Sequence, residues 1–166
     1  MTTDIAKPSN IFLLMDKEDE KQIVNPYDFA NDKKLVYEVR GNFELSYLAI
    51  KHLALLMANK GHPLETIDSK IEIVGEDKEK TWYAKVKVKN QTTNLIVEGI
   101  SECPFYDETG KQDHFARTKA HSKATRNAIR QHIPERLITK AIEDAKKKGD
   151  VKKLEPKSTQ KLIGEP

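Results

Sequence analysis

Four alanines spaced four residues apart, Ala116, Ala120, Ala124 and Ala128, constrain the fold of this chain more than any other feature. At about 100° per residue they climb one side of a helix, and that side is small enough to press closely onto a sheet. Lys119, Lys123, Arg126 and Arg130 follow an i, i+4, i+7, i+11 pattern and share another narrow arc of the helix. No acidic residue lies between Asp113 and Glu135, and Arg117 falls in the same window. Like charges one turn apart destabilise an isolated helix, so something outside the helix must compensate, and a polyanion is the simplest candidate.

The sheet that such a helix needs is written upstream. In Tyr83-Ala84-Lys85-Val86-Lys87-Val88-Lys89 the alternation is strict, with Ala84, Val86 and Val88 facing one way and Tyr83, Lys85, Lys87 and Lys89 the other. Ile67, Ile71 and Ile73 alternate in part and precede a charged turn, Gly75 to Lys80. Leu95 to Ile100 reads as a third strand, with Gly99 as a bulge or a point of close approach. Further upstream, Leu35 to Val39 is a strand broken by Gly41-Asn42, and a largely apolar helix is expected from about Glu44 to Lys60, stopped by Gly61 and Pro63. After a loop from Pro104 to Gln112, Asp113 is a good N-cap for the basic helix. Pro134 ends that helix and opens another, striped by Leu137, Ile138, Ala141, Ile142 and Ala145.

The order predicts an α+β fold: a core of helix, three-stranded antiparallel β-meander and helix, with an extra N-terminal strand and a C-terminal helix. Residues 1–34 read as an N-terminal extension, with a polar lead-in and an acidic run from Asp16 to Glu20 expected to be a solvated turn. Residues 35–145 are expected to form a single α+β domain, the one that would bind a polyanion such as nucleic acid, and residues 146–166, with seven lysines and three acids, read as a mobile basic tail.

Charge is unevenly distributed. Residues 1–113 hold 15 basic and 20 acidic side chains, a balance of −5, whereas residues 114–166 hold 14 and 6, a balance of +8. Such polarisation favours nucleic acid or an anionic surface as partner. Cys103 is the only cysteine, which excludes a disulfide framework and points to a reducing, intracellular and cytoplasmic setting. The apolar run Ile11 to Met15 is too short to span a membrane, and no membrane partner is expected.

The strongest constellation joins strand and helix: Tyr83 to stack on a base, and Lys85, Lys87, Lys89, Arg117, Lys119, Lys123, Arg126 and Arg130 to follow phosphates. Six phosphate contacts on a single strand would give a log–log salt slope of about −4. Histidines 52, 62, 114, 121 and 132 do not follow metal-ligand spacing, and neither a structural metal nor a cofactor is expected. Glu76-Asp77-Lys78 with Asp68 loosely meets a magnesium nuclease's needs, as does almost any charged hairpin, so no catalytic residues and no enzyme activity are expected.

The element order and basic positions resemble the core of the single-strand DNA annealing proteins, the Rad-fifty-two, Erf and Sak group. The resemblance is carried by residues 45–54 of the first helix, residues 82–88 of the middle strand, and Asp113-His114-Phe115-Ala116, Lys119-Ala120, Ser122-Lys123-Ala124 and Arg126-Asn127-Ala128-Ile129-Arg130 of the basic helix. It implies an ATP-independent protein that binds and pairs single strands of DNA, or binds RNA, in recombination or repair, and that assembles into homo-oligomeric rings or filaments. It also implies a strand lying in a basic groove between hairpin and helix. Double-stranded RNA-binding domains share the element order and are the alternative. An oligomeric scaffold without nucleic-acid function is a second one.

Overall fold

The computed structural model describes residues 3–25 and 34–155, with side chains described in the first helix from Leu13 onward. The expected lead-in and solvated acidic turn are instead a helix, α1, Thr3–Val24. Met15, Asp19 and Gln22, on one face of it, are buried. A hairpin follows, β1 (Val36–Val39) and β2 (Asn42–Leu45), where the sequence suggested a break and the start of a helix. Its turn residues Arg40 and Gly41 sit at φ 51° and 80°, the backbone required by a two-residue hairpin loop. Helix α2 (Tyr47–Asn59) starts after Ser46, whose hydroxyl accepts the Ala49 N–H at 3.2 Å.

Next comes the expected meander, β3 (Leu64–Val74), β4 (Thr81–Asn90) and β5 (Ile96–Pro104), antiparallel in the order β3-β4-β5. Helix α3 (Ala116–His132) crosses β4 and β5 and only brushes β3. Its alanine stripe, Ala116, Ala120, Ala124 and Ala128, is buried against Ala84, Val86 and Val88. Gly99 makes the close approach that its position suggested. A Cβ there would stand 2.0 Å from the Ala124 carbonyl oxygen and 2.5 Å from the Ala128 nitrogen. Asp113 lies three residues before α3, and its carboxylate accepts the Phe115 N–H at 2.9 Å.

Three α3 side chains spaced four apart reach the outer edge of β5. Lys123 Nζ donates to the Glu102 carbonyl at 3.1 Å, Asn127 Nδ2 to Ile100 at 2.9 Å, and Gln131 Nε2 to Glu98 at 2.8 Å. Four residues of helix advance about 6 Å and two of strand about 6.7 Å, so the two repeats stay in step over this length.

Helix α4 (Glu135–Lys148) ends at Gly149, at φ 70°, and β6 (Val151–Lys153) pairs in parallel with β1 to make a second sheet, β2-β1-β6. The basic tail expected from residue 146 therefore begins inside the fold. Residues 156–166 lie outside the described residues. Val36, Leu45, Ile50, Leu53, Met57 and Ile138 fill the core between α2, α4 and this sheet. Among the described residues no helix is long and apolar enough to cross a membrane.

Cys103 is buried under α3, and burial, with Glu20 nearby, pushes its thiol up to about 11. At pH 8 the neutral thiol is then the resting form. Thiol–disulfide exchange should proceed far more slowly in native protein than in urea-unfolded protein, where the thiol returns to about 8.5. Equal rates measured with a chromogenic disulfide reagent would contradict this burial.

Candidate nucleic-acid interface

The structure divides the nine residues singled out in the sequence among three places. Lys119, Lys123, Arg126 and Arg130 face other parts of the same chain. Lys119 pairs with Asp113 at 2.7 Å and Glu20 at 3.5 Å, and Lys123, only 3% exposed, with Glu20 at 3.2 Å and Asp16 at 3.4 Å. Arg126 grips Asp19 at 2.6 Å and Asp16 at 2.9 Å. Arg130 is bidentate to Glu44, both contacts at 3.1 Å. The compensating anions that the stripe requires are thus supplied by α1, by β2 and by Asp113 before the helix.

This network is built into the fold. Asp19 also accepts the Tyr37 hydroxyl at 2.6 Å and the Tyr47 N–H at 2.8 Å, which joins α1 to β1 and to the start of α2. Burial raises the Asp19 carboxyl above its ordinary range, against the lowering pull of Arg126 and of its hydrogen bonds. Burial would likewise depress Arg126, but Asp16 and Asp19 more than restore it. Beside this network runs a cleft of roughly 800 Å³ between α1, β2 and α3, with Leu13 and Ile50 in its walls. Its charged lining groups, Asp16, Asp19, Glu44, Arg126 and Arg130, already hold one another.

Tyr83, Lys85, Lys87 and Lys89 lie on the opposite face of the meander from α3, because Ala84, Val86 and Val88 face the helix. Strand lysines and helix cations are therefore separated by the thickness of the sheet and cannot line one groove. The lysine face is also mixed in charge. Lys89 stands opposite Glu65, Lys87 opposite Asp68 and Glu98, and Tyr83 opposite Glu72 and Glu102. Lys85 comes within 3.9 Å of Glu98.

Arg117 occupies the third place, on the side of α3 turned towards β3. Its guanidinium lies 6.0 Å from the centroid of the Trp82 ring. Trp82 stacks on Phe105 at 6.3 Å and 24° between planes, and Phe105 meets Tyr106 edge-on at 4.9 Å. Lys80 Nζ sits 5.7 Å from the Phe105 ring. The β4–β5 register, with Thr81 opposite Pro104 and Trp82 opposite Cys103, brings these residues together at one end of the sheet. Phe115, 51% exposed, precedes α3 at the same end. Burial, and then Arg117, lowers the pKa of neighbouring His121, which leaves that ring neutral at pH 7. In the sequence Trp82 enters only within the strand that carries the resemblance, Lys80 only as the end of a charged turn, and Phe105 is not singled out. The signal that sequence reasoning could have used was Trp82 between Lys80 and Lys85, with the aromatic pair Phe105 and Tyr106 just past the end of the next strand.

The other candidates for chemistry do not assemble. No group of histidine, cysteine, aspartate and glutamate among the described residues could hold a metal ion. Glu76, Asp77 and Lys78 are exposed on the β3–β4 turn, where Asp77 has φ 51°. His132 is buried, with Nε2 2.8 Å from the Val88 carbonyl.

No family model and no curated protein matches this chain. Among solved structures there is a likeness to AclR, a proposed hydroxylase from Streptomyces galilaeus. It has 17% identity over 64% of this chain and 74% of that one, with a TM-score of 0.20, too slight to carry an argument about fold or activity.

Proposed function

We propose that this protein binds single-stranded nucleic acid at the corner formed by Trp82, Phe105, Lys80 and Arg117. The observation that carries the reading is two stacked rings, each with a cation against it, at the end of the sheet beside α3. Nucleobases stack on such rings without regard to sequence, and an adjacent guanidinium or ammonium meets the phosphate between them. Duplex cannot use this platform while its bases are paired and stacked, so single strands are favoured. Pairing of complementary strands without ATP, in recombination or repair, is the activity that the resemblance to the annealing proteins adds to this reading. A cytoplasmic location accords with the lone reduced cysteine. The double-stranded RNA alternative has less support, because the lysines it would use on α3 are committed to α1.

Titration of labelled oligothymidylate and of duplex DNA across a salt series tests the proposal. Phosphate contacts by Lys80 and Arg117 alone predict a log–log slope of about −1.4, using roughly 0.7 per contact. A slope near −4 would instead mean that the α3 stripe is exposed. Phe105→Leu should weaken single-strand binding by roughly 10- to 100-fold, as expected for loss of one stacked base, and leave the fold intact. Unchanged binding in Phe105→Leu and in Arg117→Ala together would overturn the assignment.

A further inference from the structure

The two edges of the meander differ. On β5 the outward carbonyls of Glu98, Ile100 and Glu102 are occupied by α3 side chains. On β3 the edge is long, and Ile67, Ile73 and Val74 are 43%, 46% and 38% exposed. The register identifies which β3 groups point outward. The Asn90 N–H bonds Leu95 and the Phe105 N–H bonds Lys80, so even-numbered residues of β4 bond to β5 and odd-numbered ones to β3. Lys85 and Tyr83 therefore bond Lys70 and Glu72, and the backbone groups of Ser69, Ile71 and Ile73 point away from the sheet.

We infer that this edge is a self-association site, at which β3 of a second copy of this chain pairs antiparallel about a two-fold axis through Ile71. The register follows from the side chains. Centred on Ile71, the pairing sets Lys70 against Glu72 of the other copy twice over, and Asp68 against Val74. Ile71 meets its own counterpart, and each Ile73 faces a Ser69. All outward backbone groups from Ser69 to Ile73 then find partners. Centring on Lys70 would oppose two lysines, and centring on Glu72 two glutamates, which is unfavourable for charges directly opposite each other. Centring on Ser69 runs into the irregularity between Thr66 and Asp68. Within one chain Lys70 and Glu72 already approach to 3.8 Å, so the pairing closes a square of alternating charge. The axis stands normal to the sheet and keeps both α3 helices on one side, over a six-stranded sheet. Ile73, which α3 does not reach, gains cover. The interface is independent of the nucleic-acid reading above.

Sedimentation velocity of the full chain over a micromolar to near-millimolar series tests the proposal, with circular dichroism to confirm folding of each variant. The natural sequence should show a monomer–dimer equilibrium. Lys70→Glu and Glu72→Lys singly should each weaken the dimer roughly tenfold or more, because each places like charges opposite at two symmetric sites. The double swap Lys70→Glu with Glu72→Lys should restore it. Under oxidation Ile71→Cys should form a covalent dimer, since the paired Cα atoms of a hydrogen-bonded position lie about 5.5 Å apart, within disulfide reach. Ile73→Cys, far from its own counterpart, should not. A chain that is monomeric throughout, single swaps without effect, or equal cross-linking at both cysteines would each overturn the proposal.

Discussion

Arg126→Ala should lower the free energy of unfolding by about 3–5 kcal/mol, measured by urea denaturation at pH 7, because it leaves buried Asp19 without its ionic partner. Lys87→Ala and Lys89→Ala, on the other face of the sheet, should each stay within about 0.5 kcal/mol of the parent. The contrast separates two physical pictures of one basic stripe. A helix held ready for a polyanion is relieved by losing a like charge, so alanine at position 126 would be neutral or stabilising there. A helix clamped to an acidic neighbour loses a buried pair. A neutral result at Arg126 would dissolve the clamp and restore the stripe as an open surface.

Gly99→Ala should be the second large loss, about 3 kcal/mol or more, at the upper end of the overpacking range. The added methyl would meet the carbonyl of Ala124 and the amide nitrogen of Ala128, which are backbone atoms that no rotamer change can move. Relief requires α3 to lift from β4 and β5, which opens the seam of alanines along its length. Because the obstruction is backbone, shortening Ala128 to glycine in the same chain should recover little. Full recovery in that double variant would show that side-chain contact alone sets the spacing.

The meander and the helix over it were legible because each carries its own period. The alternation of residues 83–89 and the four-residue spacing from Ala116 to Ala128 need no tertiary information. Those two patterns also imply that Lys85, Lys87 and Lys89 turn away from α3, since the small residues of strand and helix must meet. Joining both sets of cations into one groove set that geometry aside. Helix α1 was less accessible. Its acids at positions 16, 19 and 20 read as solvation until a second stripe of opposite charge is placed beside them. The matching signal was a helical spacing of acids complementary to the spacing of the basic residues, a pattern visible only when distant segments are compared. β6 was hidden by its lysines, because a parallel edge strand of three residues leaves almost no periodic trace. The aromatic corner depends on the β4–β5 register, which fixes Trp82 next to Phe105 and which composition does not encode.

The ladder from Lys123, Asn127 and Gln131 to β5 has a bearing on how large an assembly of this chain can grow by sheet extension. In the language of polymerisation, a unit with two reactive ends propagates, whereas a unit with one can only couple and terminate. The ladder makes β5 a capped end, in the way that a monofunctional additive stops a condensation. Growth through the proposed β3 pairing alone would then be self-limiting at two units, and the concentration of chain would alter how many pairs exist without altering their size. A mutation that cleared the cap, such as Asn127→Ala with Gln131→Ala, would turn a terminator into a propagating unit, with fibrous aggregation as its visible outcome.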